Sequence, residues 1–176
     1  AEKAWEFLER HEQAEVEEAP GDDNGSGSYL TEGRTGANWD RQDRFWAALE
    51  LYLTTGKKVY AKAIKVHASH LYVWPATWSN PSLIGLTNFL RIKTREDITG
   101  LRHEITKRLI ERASEYEKIA RLSPWGVATQ DFGWGSNREV AARGRILVAA
   151  YEQTGHDQFR VAAACQAGYL LGTNPF

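Results

Sequence analysis

The sequence predicts an all-α protein built from helical hairpins, and three observations support this prediction. Seven segments have the apolar spacing of helices, whereas no segment shows the strict alternation that a half-buried strand requires. Glycines such as Gly56 stand where one helical segment ends and the next begins. The frame Tyr-x-x-Thr-Gly-x-x-x-Tyr/Phe occurs twice, within residues 49–63 and 147–163, each time at such a junction. Repeated hairpins of this kind stack into a solenoid or close into a toroid.

The first two predicted helices flank a flexible break. Residues 4–18 place a few apolar positions among glutamates, which is typical of an exposed helix end. The glycine-rich residues 21–28 then interrupt the helical pattern. The second helix follows Asp40, a suitable N-cap, and runs to Gly56 as its terminating glycine.

The central helices are separated by a proline-containing loop. The third helix covers residues 58–72. The fourth covers residues 82–93, preceded by Asn80 as a cap and by Pro81, which suits a first helical position. Most of residues 95–122 forms the fifth helix. Its charges alternate in sign, which predicts a solvated helix face and not a surface for nucleic acid.

The last two helices follow a loop that contains the motif DFGWGSNREVAARG. They are predicted over residues 138–154 and 156–172. Ser136 and Glu139 have the spacing of a capping box at the start of the first of these helices. Asp131 is expected to brace the loop before it. In this arrangement the cap orients the first helical turn, so that Trp134 and Arg138 project into the same space.

Composition excludes several functional classes. The formal net charge of −1 does not favour binding to nucleic acid or to an anionic membrane. No apolar run approaches the ~20 residues of a membrane-spanning helix. His67 and His70 are spaced for one helix face, but no third ligand lies nearby in the sequence, so hydrogen-bonded or solvated histidines are favoured over a zinc site. The absence of methionine predicts that these 176 residues come from a longer chain.

Tryptophans provide the strongest functional signal. Trp5 and Trp46 fall inside helices, where they are expected to pack. Four others fall in loops or at helix starts: Trp39, Trp74, Trp78 and Trp134. A loop does not usually bury a large ring without burying backbone polar groups as well. Structural packing remains the alternative for each ring taken singly, but several such rings together favour a carbohydrate-binding cleft.

Three segments resemble glycoside hydrolase family 9, the inverting cellulases with an (α/α)6 barrel. They are WDRQDRFWAALELYLTTGKKVYAKA, DFGWGSNREVAARGRILVAAYEQTG and YLLGTNPF, of which WGSN and LGxNP are the most specific parts. The resemblance implies that residues 1–176 are a portion of such a barrel, with N-terminal and C-terminal portions missing. It also implies that the acid/base carboxylate pair lies outside this chain. We therefore assign no catalytic residue to it, and the 176 residues alone are expected to be inactive.

The resemblance also implies which residues of this chain bind the substrate. Trp134 and Arg138 match the tryptophan and arginine of the family's glucosyl-binding subsites, and Trp74 matches a tryptophan on the groove rim, with Trp78 beside it. Asp43 matches an aspartate that helps to hold a structural calcium ion in some relatives. Ser79 stands where those relatives have a second aspartate, and Arg44 stands where they have a glutamate. The sequence therefore lacks part of that calcium ligand set.

The resulting hypothesis is a portion of a secreted β-1,4-glucan hydrolase that acts on a β-glucan polysaccharide or on cello-oligosaccharides. It is expected to bind neither nucleic acid nor membrane, and to associate with the missing barrel segments of the same protein. Three alternatives stay open at this stage. They are a non-catalytic helical carbohydrate-binding protein, an exo-acting glucosidase or glucosaminidase of the same family, and an unrelated toroid of helical hairpins.

Overall fold

The computed structural model describes residues 1–10, 41–68, 73–76, 81–92 and 98–173, and all regular secondary structure within these ranges is helical. The all-α prediction is therefore confirmed. A π-helical turn, Tyr169–Thr173, follows the last α-helix. The α-helices of the described ranges are α1 (Glu2–Arg10), α2 (Arg41–Thr55), α3 (Lys58–Ala68), α4 (Ser82–Arg91), α5 (Thr99–Leu122), α6 (Ser136–Thr154) and α7 (Asp157–Gly168).

The repeated Thr-Gly frame builds the same turn twice. Gly56 ends α2 and Gly155 ends α6, both with φ of 68°, a left-handed conformation that glycine adopts without steric cost. The glycine N–H donates to the carbonyl of Tyr52 in the first turn and of Tyr151 in the second, at 2.8 Å in each. These turns reverse the chain, so that α2 packs on α3 and α6 packs on α7.

The threonine of the frame has a structural role in both turns. The Thr55 hydroxyl donates to the Leu51 carbonyl at 2.7 Å and accepts the N–H of Lys57 at 3.2 Å. The hydroxyl of Thr154 donates to the Ala150 carbonyl at 2.8 Å, and accepts the N–H of His156 at 3.1 Å. The internal repeat is thus a repeat of one helix-terminating hydrogen-bond pattern.

The helices alternate in direction, which separates their connections into two ends of the molecule. One end, the turn end, holds Gly56 and Gly155. Arg91 at the end of α4 forms a bidentate pair with Glu152 near the end of α6, at 2.8 and 2.9 Å, which places the end of α4 there as well. The opposite end, the loop end, holds residues 73–76, 123–135 and 169–173.

A continuous apolar core joins the helices. It is built mainly from large side chains with almost no exposed surface, among them Phe45, Leu49, Ile64, Leu83, Leu86, Phe89, Ile105, Leu109, Ile146, Leu147 and Phe159. A second, smaller cluster of Val127, Val140 and Tyr169 lies at the loop end. This second cluster supports the connection between α5 and α6, which carries the predicted binding motif.

The solvated-face prediction for the fifth helix is wrong at Arg102. Its guanidinium is half-buried and donates to the carbonyl oxygens of Phe89, Leu90 (2.7 Å) and Ile92 at the end of α4. Carbonyl groups in the last turn of a helix have no N–H partner further along that helix, so Arg102 supplies donors from a neighbouring helix. Burial lowers the pKa of Arg102, which remains charged at any ordinary pH.

A buried glutamine fastens the α5–α6 loop to α7. The Gln166 side-chain oxygen accepts the N–H of Ala128 at 2.8 Å, and its amide nitrogen donates to the carbonyls of Gly126 and Ala162, both at 2.9 Å. Gly126 has φ of 67°, and a Cβ there would lie 3.2 Å from the Cβ of Cys165. A side chain at position 126 would crowd Cys165, so glycine lets the loop lie close to α7.

Helix α4 approaches α2 through a glycine. A Cβ added at Gly85 would lie only 2.4 Å from the Trp46 ring. The indole N–H of Trp46 donates to Glu50 at 3.0 Å, and the Asn88 amide donates to the same carboxylate oxygen at 2.9 Å. These bonds hold the Trp46 ring in place, so the ring cannot swing away from a larger residue.

We expect Gly85→Ala to lower the free energy of unfolding by roughly 1–3 kcal/mol, because the added methyl group overpacks the α2–α4 contact. Gly100→Ala is the matched control: it lies in α5, and a Cβ there meets nothing within 4 Å. The control should be neutral or stabilise by up to about 1 kcal/mol. Urea unfolding of the two variants measures the difference, and equal effects would contradict the close packing at Gly85.

We expect Gln166→Leu to lower the free energy of unfolding by about 1–3 kcal/mol, because the Ala128 N–H loses its acceptor inside the protein. Gln158→Leu, at an exposed position of the same helix, should change this free energy by less than about 0.5 kcal/mol. Thermal and urea unfolding provide the measurement. Hydrogen exchange of the Ala128 amide provides a local measurement. Unchanged protection of this amide in Gln166→Leu would refute the role of Gln166.

Candidate functional site

Trp134 lies at the tip of the α5–α6 loop with its side chain fully exposed (101%). The loop is nevertheless ordered by its own hydrogen bonds. The Asp131 carboxylate accepts the N–H of Gly133 at 3.0 Å, which confirms that Asp131 braces the loop. Gly135, with φ of 79°, then turns the chain into α6. The structure thus presents an indole ring to solvent from a fixed backbone.

The predicted capping box is wrong. Helix α6 begins at Ser136, with Gly135 as the N-cap and no side-chain cap hydrogen bond. The helix start is instead closed by backbone bonds: the Ser136 N–H donates to the Gly133 carbonyl at 3.2 Å, and the Arg138 N–H donates to the Gly135 carbonyl at 2.9 Å. The left-handed Gly135 takes the N-cap position that the sequence pattern assigns to Ser136, so the helix starts at Ser136 and not at the predicted residue 138. Glu139 is thereby available for a different role.

Glu139 pairs with arginines of the same helix. Its Oε1 accepts from Arg138 at 3.0 Å, and its Oε2 lies 3.8 Å from Arg143. Arg138 follows Trp134 by four residues, and its side chain is about half exposed. Its guanidinium therefore keeps donor groups available to solvent.

Trp74 lies in a short segment that is anchored on both sides. Val73 before it and Pro75 after it are buried, whereas Trp74 itself is 47% exposed. The guanidinium of Arg112, on α5, lies over the Trp74 ring with its Cζ 5.0 Å from the ring centroid, which is cation–π geometry. Trp74 therefore contacts a charged group that α5 supplies.

A line of side chains connects Trp74 to the α5–α6 loop. The ring of Tyr116, one turn after Arg112 on α5, lies 6.0 Å from the Arg112 guanidinium and 5.3 Å from that of Arg143 on α6. Arg143 also donates to the Ala128 carbonyl at 2.5 Å. Burial raises the pKa of the Tyr116 hydroxyl, and the two arginines oppose the shift. Trp74 and the Trp134 loop are thus braced from the same two helices.

The sequence prediction missed most of these bracing residues. Arg112 and Tyr116 have the i, i+4 spacing of a helix face, which was the available signal, but they lie in a helix whose many charges suggested solvation. Arg143 and Gln166 are not distinguished by any local pattern. Two further aromatic rings of the loop, Trp125 and Phe132, are also about half exposed. The loop end therefore presents more aromatic surface than the sequence motif alone indicates.

Several predicted residues lie outside the described residues: Trp39, Trp78, His70, Ser79, Asn80 and the N-cap Asp40. Trp5 is buried and packs edge-on against Tyr60, with 5.8 Å between the centroids, as expected for a core tryptophan. Among the described residues, no three His, Cys, Asp or Glu side chains come together in a way that could hold a metal ion.

Arg44 stands where some relatives have a glutamate in the calcium ligand set, and the structure shows what this side chain does. Arg44 is buried and donates to the Leu8 carbonyl at 2.8 Å, so this side chain holds α1 against α2. The residue that replaces a carboxylate in the sequence therefore has a structural use.

The geometry at the loop end suits an uncharged, hydroxyl-rich ligand. Exposed indole faces offer apolar surface to the C–H groups of such a ligand, and the half-exposed guanidinium of Arg138 offers hydrogen-bond donors. None of the helices in the described ranges combines the length and apolarity that crossing a lipid bilayer demands.

The chain is similar in sequence and structure to known glucanases. It is 29% identical over 181 residues to the xyloglucan-specific endo-β-1,4-glucanase of Bacteroides ovatus, which covers 99% of this chain and 30% of the relative. A metagenome-derived endoglucanase of glycoside hydrolase family 9 superimposes with a TM-score of 0.81 at 32% identity, covering 99% of this chain and 31% of that one. The family 9 endoglucanase J30 superimposes with a TM-score of 0.83 at 29% identity, covering 98% and 31%.

The chain thus spans about 30% of the length of these relatives. A family profile, described as Glycosyl hydrolase family 9, matches over residues 1–176. The match extends over Arg138 in α6 and over the loop segments that carry Trp74 and Trp134. On the sequence match and the superpositions together, this chain belongs to glycosyl hydrolase family 9.

Proposed function

We propose that these residues form part of a β-1,4-glucan hydrolase of the endoglucanase type that acts by inversion and is extracellular. Family membership supports the reaction class, and the names of the similar proteins support a glucan as the substrate. The single observation in this chain that carries the proposal is Trp134. Its indole is fully exposed on a hydrogen-bonded loop, and a flat apolar ring held in this way can receive the C–H face of a ligand.

The proposed substrate contacts follow from the chemistry of a pyranose ring. One face of a glucosyl unit is made of C–H groups and can stack on the Trp134 indole, while its hydroxyls accept hydrogen bonds from Arg138. Trp74 offers a second platform at the same end of the molecule, and Trp78 is proposed as a third. Several platforms along one end suit a chain of sugar units better than a single small ligand.

The acid/base carboxylate pair is proposed to come from other parts of the protein. An inverting glycosidase needs two carboxylates about 6.5–9.5 Å apart with a water molecule between them. The described carboxylates nearest to Trp134 in sequence are Asp131 and Glu139, and each is engaged with the loop or with arginines. We therefore place substrate binding, and not proton transfer, on these residues.

The full-length protein is expected to release reducing ends from carboxymethyl-cellulose and from cello-oligosaccharides. Because inversion turns a β-linkage into an α-anomeric product, proton NMR of the first product should show the α-anomer before mutarotation. A fast fall in viscosity relative to reducing ends would indicate endo action. Absence of hydrolysis of every β-1,4-glucan, with binding retained, would instead support a non-catalytic carbohydrate-binding protein.

In the full-length protein, Trp134→Ala should weaken binding of cellohexaose by roughly tenfold or more, since the substitution removes a large apolar surface on which a glucosyl unit would stack. Stability should stay unchanged, because the side chain makes little contact in the folded protein. Isothermal titration and thermal unfolding measure the two effects. Phe7→Ala is the control, an exposed aromatic on α1. A loss of stability with unchanged affinity would contradict the platform role.

A further inference from the structure

We propose that Arg112 is a positioning residue, whose guanidinium holds the Trp74 indole in the orientation that receives a glucosyl unit. The proposal rests on the proposed function for the identity of the ligand. The contact on which it depends is independent of that function: the Arg112 Cζ lies 5.0 Å from the Trp74 ring centroid. A guanidinium stacked on an indole covers one face of the ring and leaves the other face for a ligand.

The Trp74 ring needs an external support to be a defined platform. Its neighbours Val73 and Pro75 are buried and fix the backbone, but the indole is 47% exposed and still has two side-chain torsions. If the ring had to be ordered on binding, part of the affinity for sugar would be lost. A contact that orders the ring beforehand therefore strengthens binding without touching the substrate.

Arg112 is itself held in place. Its Nη1 donates to the Glu115 carboxylate at 2.7 Å, and its side chain is only 29% exposed. A guanidinium donates hydrogen bonds in its own plane while its flat face stacks on a ring, so both contacts can form at once. A lysine ammonium has no such plane. It would keep the charge and only part of the stacking contact.

The support extends to the Trp134 loop through Tyr116. The ring of Tyr116 contacts the guanidinium groups of both Arg112 (6.0 Å) and Arg143 (5.3 Å), and Arg143 holds the loop through the Ala128 carbonyl. The side chains that contact Trp74 and those that hold the Trp134 loop therefore meet at Tyr116, on α5.

A double-mutant cycle on the full-length protein tests the proposal. Arg112→Ala should raise KM for cellohexaose roughly two- to fivefold with little change in kcat, the effect expected for one cation–π contact. Arg112→Lys should retain part of the wild-type affinity. In the Trp74→Ala background, Arg112→Ala should have no further effect. Arg121→Ala, an exposed arginine paired with Glu117 on the same helix, is the control. Additive effects of Arg112→Ala and Trp74→Ala would overturn the proposal.

Fluorine NMR of the 5-fluorotryptophan-labelled protein provides a readout without sugar. The Trp74 signal is identified by its loss in Trp74→Phe, and it should shift or broaden in Arg112→Ala but not in Arg121→Ala. An unchanged Trp74 signal in Arg112→Ala would overturn the positioning role whatever the sugar result. A changed signal in a protein that neither binds nor hydrolyses β-glucans would support the positioning role and refute the proposed function.

Discussion

The arrangement of this chain depends on a left-handed glycine preceded by a threonine at the end of a helix. At Gly56 and again at Gly155, the positive φ stops the helix, and the threonine hydroxyl bonds the next residues into the turn. Each turn reverses the chain within two residues. Since successive helices then run in opposite directions, the described connecting segments 73–76 and 123–135 lie at the end opposite these turns. The candidate binding motif lies in the second of these segments.

The loop end shows how an exposed ring can be held still by buried polar groups. Trp134 itself makes almost no contact with the folded protein, so its position is decided by the backbone below it. That backbone is held by the Gln166 amide and the Arg143 guanidinium, each of which bonds main-chain groups of residues 126–128. Buried main-chain groups are costly to leave unpaired, so these two side chains restrict the loop to one conformation.

Among the described residues, several arginines support neighbouring parts of the fold, whereas Arg138 is a candidate ligand contact. Arg102 closes the end of α4, Arg44 holds α1, and Arg112 stacks on Trp74. Each role uses the planar, permanently charged guanidinium, which can satisfy several acceptors or cover a ring at modest cost of desolvation. A charge-rich helix such as α5 therefore contributes to packing on one face and to solvation on the other. Counting its charges does not distinguish the two.

The sequence by itself determined the seven helices of the described ranges, the two hairpin turns and the exposed tryptophan motif. These features depend on local spacing: apolar periodicity, a glycine with positive φ, and Trp134 between two glycines. The specific WGSN and LGxNP segments also sufficed to indicate the family. All of these signals are contained in runs of fewer than about 25 residues, within reach of pattern analysis.

Tertiary structure alone decided how the site is held. The capping box at Ser136 was a consistent local pattern, but Gly135 took the cap position because the loop before it is fixed by distant contacts. Arg112 meets Trp74 across 38 positions of sequence, and Gln166 meets Ala128 across the same separation. Such pairs carry no local signature, since either partner alone looks like an ordinary helix residue. Their pairing follows only once the hairpins have packed and brought the loop end together.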